Sequence, residues 1–164
     1  MTQYQLRGNR VEPLDLKHIQ TTASNVYKIL NFKKPRRRHP NNFDKVFESL
    51  SKFTVTLKVI DEQDWPELTR GHFDPVSLTI SIPEPVYEDA CLGDPDALFI
   101  VLHELGHLFL GHKALLHSSK EPATQAEDAE WQADTFADTI LMHLGLTRSD
   151  NQLSFDFYMT EFVK

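Results

Sequence analysis

Leu98-Phe99-Ile100-Val101-Leu102-His103-Glu104-Leu105-Gly106-His107-Leu108-Phe109-Leu110 sets a His-Glu-x-x-His string inside an otherwise apolar run. Asp94-Pro95 ahead of it supplies a cap and a proline suited to a first helical position. Gly111 behind it supplies a stop, so the pattern predicts a helix over about 95–110. Apart from the motif and Asp96 the residues are apolar on every side, which describes a helix buried in a core. Given 8 His and 11 Glu in 164 residues, about 0.03 such strings are expected by chance. Histidines four apart share one helical face, so His103 and His107 can grip one metal ion. Burying two His and a Glu is costly unless they are satisfied, which weighs against two ordinary core histidines. A catalytic zinc takes three protein ligands and keeps one position open. Glu104 lies beside the first ligand, placed to act as base toward a water at the metal.

The third ligand has to come from elsewhere. In the longer motif with a third His, positions 110 and 113 would be Gly and His; here they are Leu110 and Lys113, and His112 is one residue out of register. A better donor lies in Glu127-Asp128-Ala129-Glu130-Trp131-Gln132-Ala133-Asp134-Thr135-Phe136-Ala137, which predicts a second helix running to about His143. Trp131, Phe136, Ile140, Leu141 and Leu144 give it an apolar surface, and Ala133 and Ala137 a small-residue strip for close helix packing. Glu130 and Asp134 are four apart on one face. That spacing suits one carboxylate on the metal and another accepting the far N–H of a ligand histidine. A solvated acidic face is the competing reading, since Glu127, Asp128 and Asp138 are near, and Glu127 competes with Glu130 for the ligand role.

Phe99-Ile100-x-x-His103-Glu104-Leu105-Gly106-His107-x-x-Leu110 followed by Glu130-x-x-Ala133-Asp134-x-Phe136-Ala137 resembles the ImmA/IrrE family of small metallopeptidases, over roughly residues 55 to 145. The resemblance implies a zincin fold and limited cleavage of a partner repressor of the helix-turn-helix class. Such proteins are often encoded on mobile elements. It further implies His103, His107 and Glu130 as zinc ligands, Glu104 as the base, and Asp134 as the acceptor behind a ligand histidine. Many members carry Asn where Asp134 stands, and either side chain can accept an imidazole N–H. Ser118-Ser119-Lys120-Glu121-Pro122 reads as a loop with no assigned role.

Composition bounds the rest. A chain of 164 residues with 40% hydrophobic content is expected to form one domain with enough material for a core. No apolar run approaches the roughly 20 residues of a membrane span, and Met1-Thr2-Gln3-Tyr4-Gln5 has no signal-peptide core. Cys91 is the only cysteine, which excludes disulfides within the chain and fits a cytoplasmic location. The net charge of −7 hides a division. Residues 1–83 carry 13 basic and 9 acidic side chains, residues 84–164 carry 4 and 15. An acidic catalytic half is a poor surface for nucleic acid and a reasonable one for a basic protein partner.

Upstream, Leu14 to Phe32 predicts a helix with Ile19, Val26, Ile29 and Leu30 as its apolar positions. A basic turn, Lys33-Lys34-Pro35-Arg36-Arg37-Arg38-His39-Pro40, leads to a helix of about 43–53 with Phe43, Val46, Phe47 and Leu50 inward. The basic run is short and lacks interleaved aromatics, so it reads as a solvated loop. Val55, Leu57 and Val59 alternate as a half-buried strand, and Leu78, Ile80 and Ile82 do the same before Pro83-Glu84-Pro85 stops them. The second strand is expected at the edge of the cleft, with the Thr79 and Ser81 N–H groups free to pair with an extended substrate. Hydrolysis also needs an oxyanion donor. His72, His112, His143, Tyr87 and Tyr158 are available, and His72 is favoured because Arg70-Gly71-His72 leads into that strand.

Taken together, the sequence predicts an α+β, compact zincin-like domain with a small sheet packed on the active-site helix and a second ligand-bearing helix. Residues 1–164 form a single domain in this reading: an N-terminal helical part at 1–53, strands and metal-site helices at 54–145, and a tail at 146–164. Its function is that of a zinc-dependent endopeptidase acting on a protein substrate, a helix-turn-helix regulator by resemblance, with no membrane and no direct nucleic-acid partner. Two other classes stay open: a non-cleaving module that sequesters a regulator, and the toxin of a toxin–antitoxin pair. Glu104 argues against a purely structural site, which has no use for a base beside its ligands.

Overall fold

Residues 3–36, 43–66, 68–113 and 121–149 are described from a computed structural model. Residues 37–40 of the basic turn, 118–120 of the loop, Tyr158 and the tail beyond 149 lie outside them.

The fold is mixed α+β. Helix α1 (Leu16–Ile29) begins where the Asp15 side chain accepts the His18 N–H. This trims the predicted 14–32 helix at both ends, because capping by Asp15 fixes the start and Asn31 turns into the left-handed region (φ 56°). The predicted 43–53 helix is a short α2 (Asp44–Glu48) that tightens into a 3-10 turn over Ser49–Phe53. Three strands follow: β1 (Thr56–Ile60), β2 (His72–Asp74) and β3 (Thr79–Pro83). They assemble in the order β1-β3-β2, with β1 parallel and β2 antiparallel to β3.

This order corrects the expectation for the second strand. β3 is the central strand, paired on both sides, so its main chain is engaged by β1 and β2 rather than open to a substrate. Ile80 and Ile82 are fully buried, as the alternation requires, whereas Leu78 belongs to the preceding turn at φ 52°. Among the described residues β1 is an edge strand, and its Val59 is 40% exposed despite its place in the apolar alternation. The other edge is β2, a three-residue strand too short to show a periodic signal.

The Pro83-x-Pro85 segment ends β3 but also opens a helix, α3 (Glu84–Leu92), which was not foreseen. Proline lacks the N–H that a first helical turn leaves unpaired anyway, so it starts a helix as readily as it stops a strand. Cys91 is buried on α3, where burial pushes its thiol up and the Tyr87 hydroxyl is its hydrogen-bonding neighbour.

Helix α4 (Pro95–Phe109) has the predicted boundaries to within a residue, with the Asp94 carboxylate accepting the Ala97 N–H at 2.9 Å. It touches α1, α3, β2, β3 and α5 (Ala129–Leu144), which makes it the central element. Leu98, Val101, Leu102 and Leu105 of α4 and Phe136, Ala137 and Ile140 of α5 are fully buried together. Gly106 lets the two helices approach: a Cβ there would sit 3.1 Å from Ala133 Cα and 3.2 Å from its carbonyl oxygen. No helix of the described residues is long and apolar enough to cross a membrane.

Candidate metal centre

On α4 the four-residue spacing brings His103 and His107 into edge-to-face contact, ring centroids 4.7 Å apart. Their Nε2 atoms are 3.1 Å apart. Glu130 arrives from the first turn of α5. Its Oε2 lies 3.2 Å from His103 Nε2 and its Oε1 3.5 Å from His107 Nε2. Two features deliver it there. The close Gly106–Ala133 approach draws α5 onto α4, and Asp128 caps α5 by accepting the Glu130 N–H at 3.0 Å. His103, His107 and Glu130 thus offer ligand atoms all within 4.8 Å of one another, the group of that kind among the described residues.

The far sides of both rings are engaged. His103 Nδ1 is 2.9 Å from Asp134 Oδ1, and Asp134 Oδ2 is 2.8 Å from the Arg7 guanidinium. His107 Nδ1 is 2.8 Å from His112 Nδ1. With both Nδ1 atoms occupied, both Nε2 atoms turn toward Glu130. Two imidazole nitrogens, each ring oriented from behind, and one carboxylate fit the three protein ligands of a catalytic zinc.

Electrostatics favour a cation at this point. Burial opposes charge on His103, but hydrogen bonds to Asp134 and Glu130 outweigh it and raise its pKa to about 10. Burial works on Glu130 in the opposite sense and is again outweighed, by the hydrogen bond and charge of His103, which pull it to about 2. His107 is lowered to about 3 by burial and by its charged neighbour.

Glu104 follows His103 on α4, lies against the segment leading into β2 and is 8% exposed. Gly71, just ahead of β2, lies so close that a Cβ there would meet Glu104 Oε1 at 2.9 Å. Burial raises the Glu104 pKa to about 7, tempered by His103 and reinforced by Glu130. A carboxyl group near neutrality can both take and return a proton.

The family model described as the IrrE N-terminal-like domain, of the M78 peptidases, matches residues 51–157. The chain belongs to this family. The match spans the sheet, α3, α4 and α5, and leaves out α1, α2 and the N-terminal segment ahead of them. No curated protein and no solved structure matches the chain. IrrE-like peptidases of this family are metallopeptidases, so membership implies a metal and a protein substrate.

Within this IrrE-like domain the other residues singled out in the sequence separate clearly. Glu127 is drawn away from the cluster of His103, His107 and Glu130: it pairs with Arg10 at 2.7 Å and closes a capping box on Thr124. Asp128 is fully buried rather than solvated, accepting from Tyr4 Oη at 2.6 Å and the Arg7 N–H at 3.1 Å. Accordingly α5 starts at Ala129, two residues later than expected. Among the oxyanion candidates, His112 has both ring nitrogens occupied, by His107 and Gln132. His143 bonds Ser24 near the far end of α5, roughly 20 Å along the helix from Glu130 at 1.5 Å per residue. Tyr87 packs on Phe47 and beside Cys91, with its pKa pushed up to about 12 by burial and the Cys91 contact. His72 is exposed and follows Gly71 on the β2 edge.

Sequence reasoning missed the N-terminal segment altogether. It runs antiparallel to residues 126–129, with Val11 N–H donating to the Glu127 carbonyl at 2.9 Å and Ala129 N–H to the Asn9 carbonyl at 3.2 Å. This brings Arg7 to Asp134 and presses Gly8 on Glu130: a Cβ on Gly8 would lie 2.6 Å from Glu130 Cγ. More than a hundred positions separate these partners, and no local pattern could have announced them.

Proposed function

We propose that the chain is a zinc-dependent endopeptidase that makes a limited cut in a protein partner, a helix-turn-helix regulator. The observation that carries this reading is the convergence of His103, His107 and Glu130 beside a buried Glu104 with a near-neutral pKa. In this assignment His103, His107 and Glu130 hold the metal and Asp134 fixes His103. A bound zinc ion supplies a Lewis acid that polarises a carbonyl and acidifies water. Glu104 accepts the proton of the attacking water and returns it to the departing amine. The β2 edge beside Gly71 is the wall along which an extended peptide lies, and His72 is the oxyanion donor in this reading. Residues 1–164 act as one domain, in the cytoplasm, and the acidic half of these residues suits a basic partner.

The test is incubation of the purified protein with the regulator encoded beside its gene, with and without zinc. Expected is a discrete cleavage product that needs the metal and is abolished by Glu104→Gln although metal content stays equal. A metal-loaded Glu104→Gln protein cleaving at the normal rate overturns the base assignment. Binding of the regulator without cleavage replaces the peptidase reading by that of a sequestering module, and cleavage of other proteins but not the regulator removes the substrate class.

A further inference from the structure

The mechanism leaves one buried pair without a role, His112 and Gln132. His112 is 9% exposed and Gln132 fully buried. Gln132 Nε2 lies 2.9 Å from the Glu12 carbonyl and 2.6 Å from the Ala126 carbonyl. Main-chain carbonyls only accept, so this end of the amide must be the NH2 group and the other end its oxygen. That oxygen lies 2.8 Å from His112 Nε2. His112 therefore carries its proton on Nε2, and as a neutral ring it offers a lone pair at Nδ1. His112 Nδ1 is 2.8 Å from His107 Nδ1, which must then be the donor. His107, protonated at Nδ1, is left with its lone pair on Nε2, the atom that faces His103 and Glu130.

We propose that His112 and Gln132 are positioning residues that fix the tautomer and ring orientation of His107, so that its Nε2 lone pair is presented to the metal. The relay runs from two main-chain carbonyls through Gln132 and His112 to His107, and each link has one workable donor direction. It is the counterpart of Asp134 behind His103, built from neutral groups instead of a carboxylate. The proposal rests on the reading of His107 as a metal ligand.

Two measurements test it. The first is long-range 15N–1H correlation of the histidine rings in the metal-free protein, where His107 is expected as the Nδ1–H form and His112 as the Nε2–H form. His107 protonated on Nε2, or His112 on Nδ1, overturns the relay. The second is zinc affinity by competition with a chelator. His112→Phe keeps ring volume but removes the acceptor, and is expected to weaken zinc binding about 10-fold to 100-fold. His112→Gln can accept from His107 and donate to Gln132, and is expected to recover most of that loss. Unchanged affinity in a folded His112→Phe protein overturns the proposal; if that variant fails to fold, the ring tautomers of the unaltered protein decide. A wild-type protein that binds no zinc defeats the metal-site reading, while the tautomers still decide the relay separately.

Discussion

Asp134 holds two partners at once, the imidazole of His103 at 2.9 Å and the guanidinium of Arg7 at 2.8 Å. Removing it leaves His103 without the acceptor that turns its Nε2 inward. Asp134→Ala is expected to keep the fold and weaken zinc binding about 10-fold to 100-fold. Asp134→Asn keeps an oxygen for His103 and gives up only the ion pair with Arg7, so its loss is smaller. Titration with zinc against a competing chelator checks the ranking, and equal affinity in all three proteins removes Asp134 from the site. The local pair Glu130 and Asp134 was legible in the sequence because helical spacing alone puts both on one face. Arg7 and Gln132 were not, because their partnerships depend on how distant segments meet.

Between elements, the contact that completes the site is Gly106 against Ala133. Gly106→Ala would force a Cβ to within about 3.1 Å of main-chain atoms, which cannot swing aside as a side chain would. Overpacking of this kind typically costs about 1–3 kcal/mol. The expected outcome is a lower melting temperature together with weaker zinc binding, since α5 carries Glu130 as it shifts. A variant with unaltered melting and affinity means the helices tolerate the wider spacing. Helix α4 could be read from its sequence because Asp94-Pro95 and the left-handed Gly111 (φ 67°) are local signals. The position of β3 was equally readable from alternation, but whether a strand is central or at an edge depends on its neighbours, which alternation does not encode. Helix α3 was missed for a different reason: its opening prolines fit a stop and a start alike.

At the scale of the whole molecule, the N-terminal segment is a brace across the candidate metal centre. Gly8→Ala is expected to displace Glu130 and lower zinc affinity with helix content preserved, as circular dichroism beside a zinc titration checks; full affinity in Gly8→Ala shows that Glu130 is placed without the segment. The brace also has a pH signature. Burial, the hydrogen bond to Asp128 and the charge of Asp128 raise the Tyr4 pKa to about 12, with Arg7 opposing. Its contribution to stability is fully present below the ordinary tyrosine value near 10 and is lost as pH rises through about 12. Thermal melts of wild type and Tyr4→Phe should therefore converge over that range. Tyr87 also titrates near 12, so only the difference between the two proteins isolates Tyr4. A constant difference across that range means Tyr4 keeps no special proton.

Fastening the first residues to positions 121–134 closes a circuit of more than a hundred residues, as in the Tyr4–Asp128 hydrogen bond, 124 positions apart. The entropy of closing so long a circuit rises only slowly with length, and it is recovered here largely through polar links, with Val11 as the buried apolar side chain of the segment. A segment held in this way opens as a unit of its own, ahead of the core. The amide protons of Val11 and Ala129 should exchange with solvent long before those buried along α4. If their exchange rates match the rate at which zinc is lost, the lifetime of the loaded enzyme is set by the opening of this clasp and not by the unfolding of the domain.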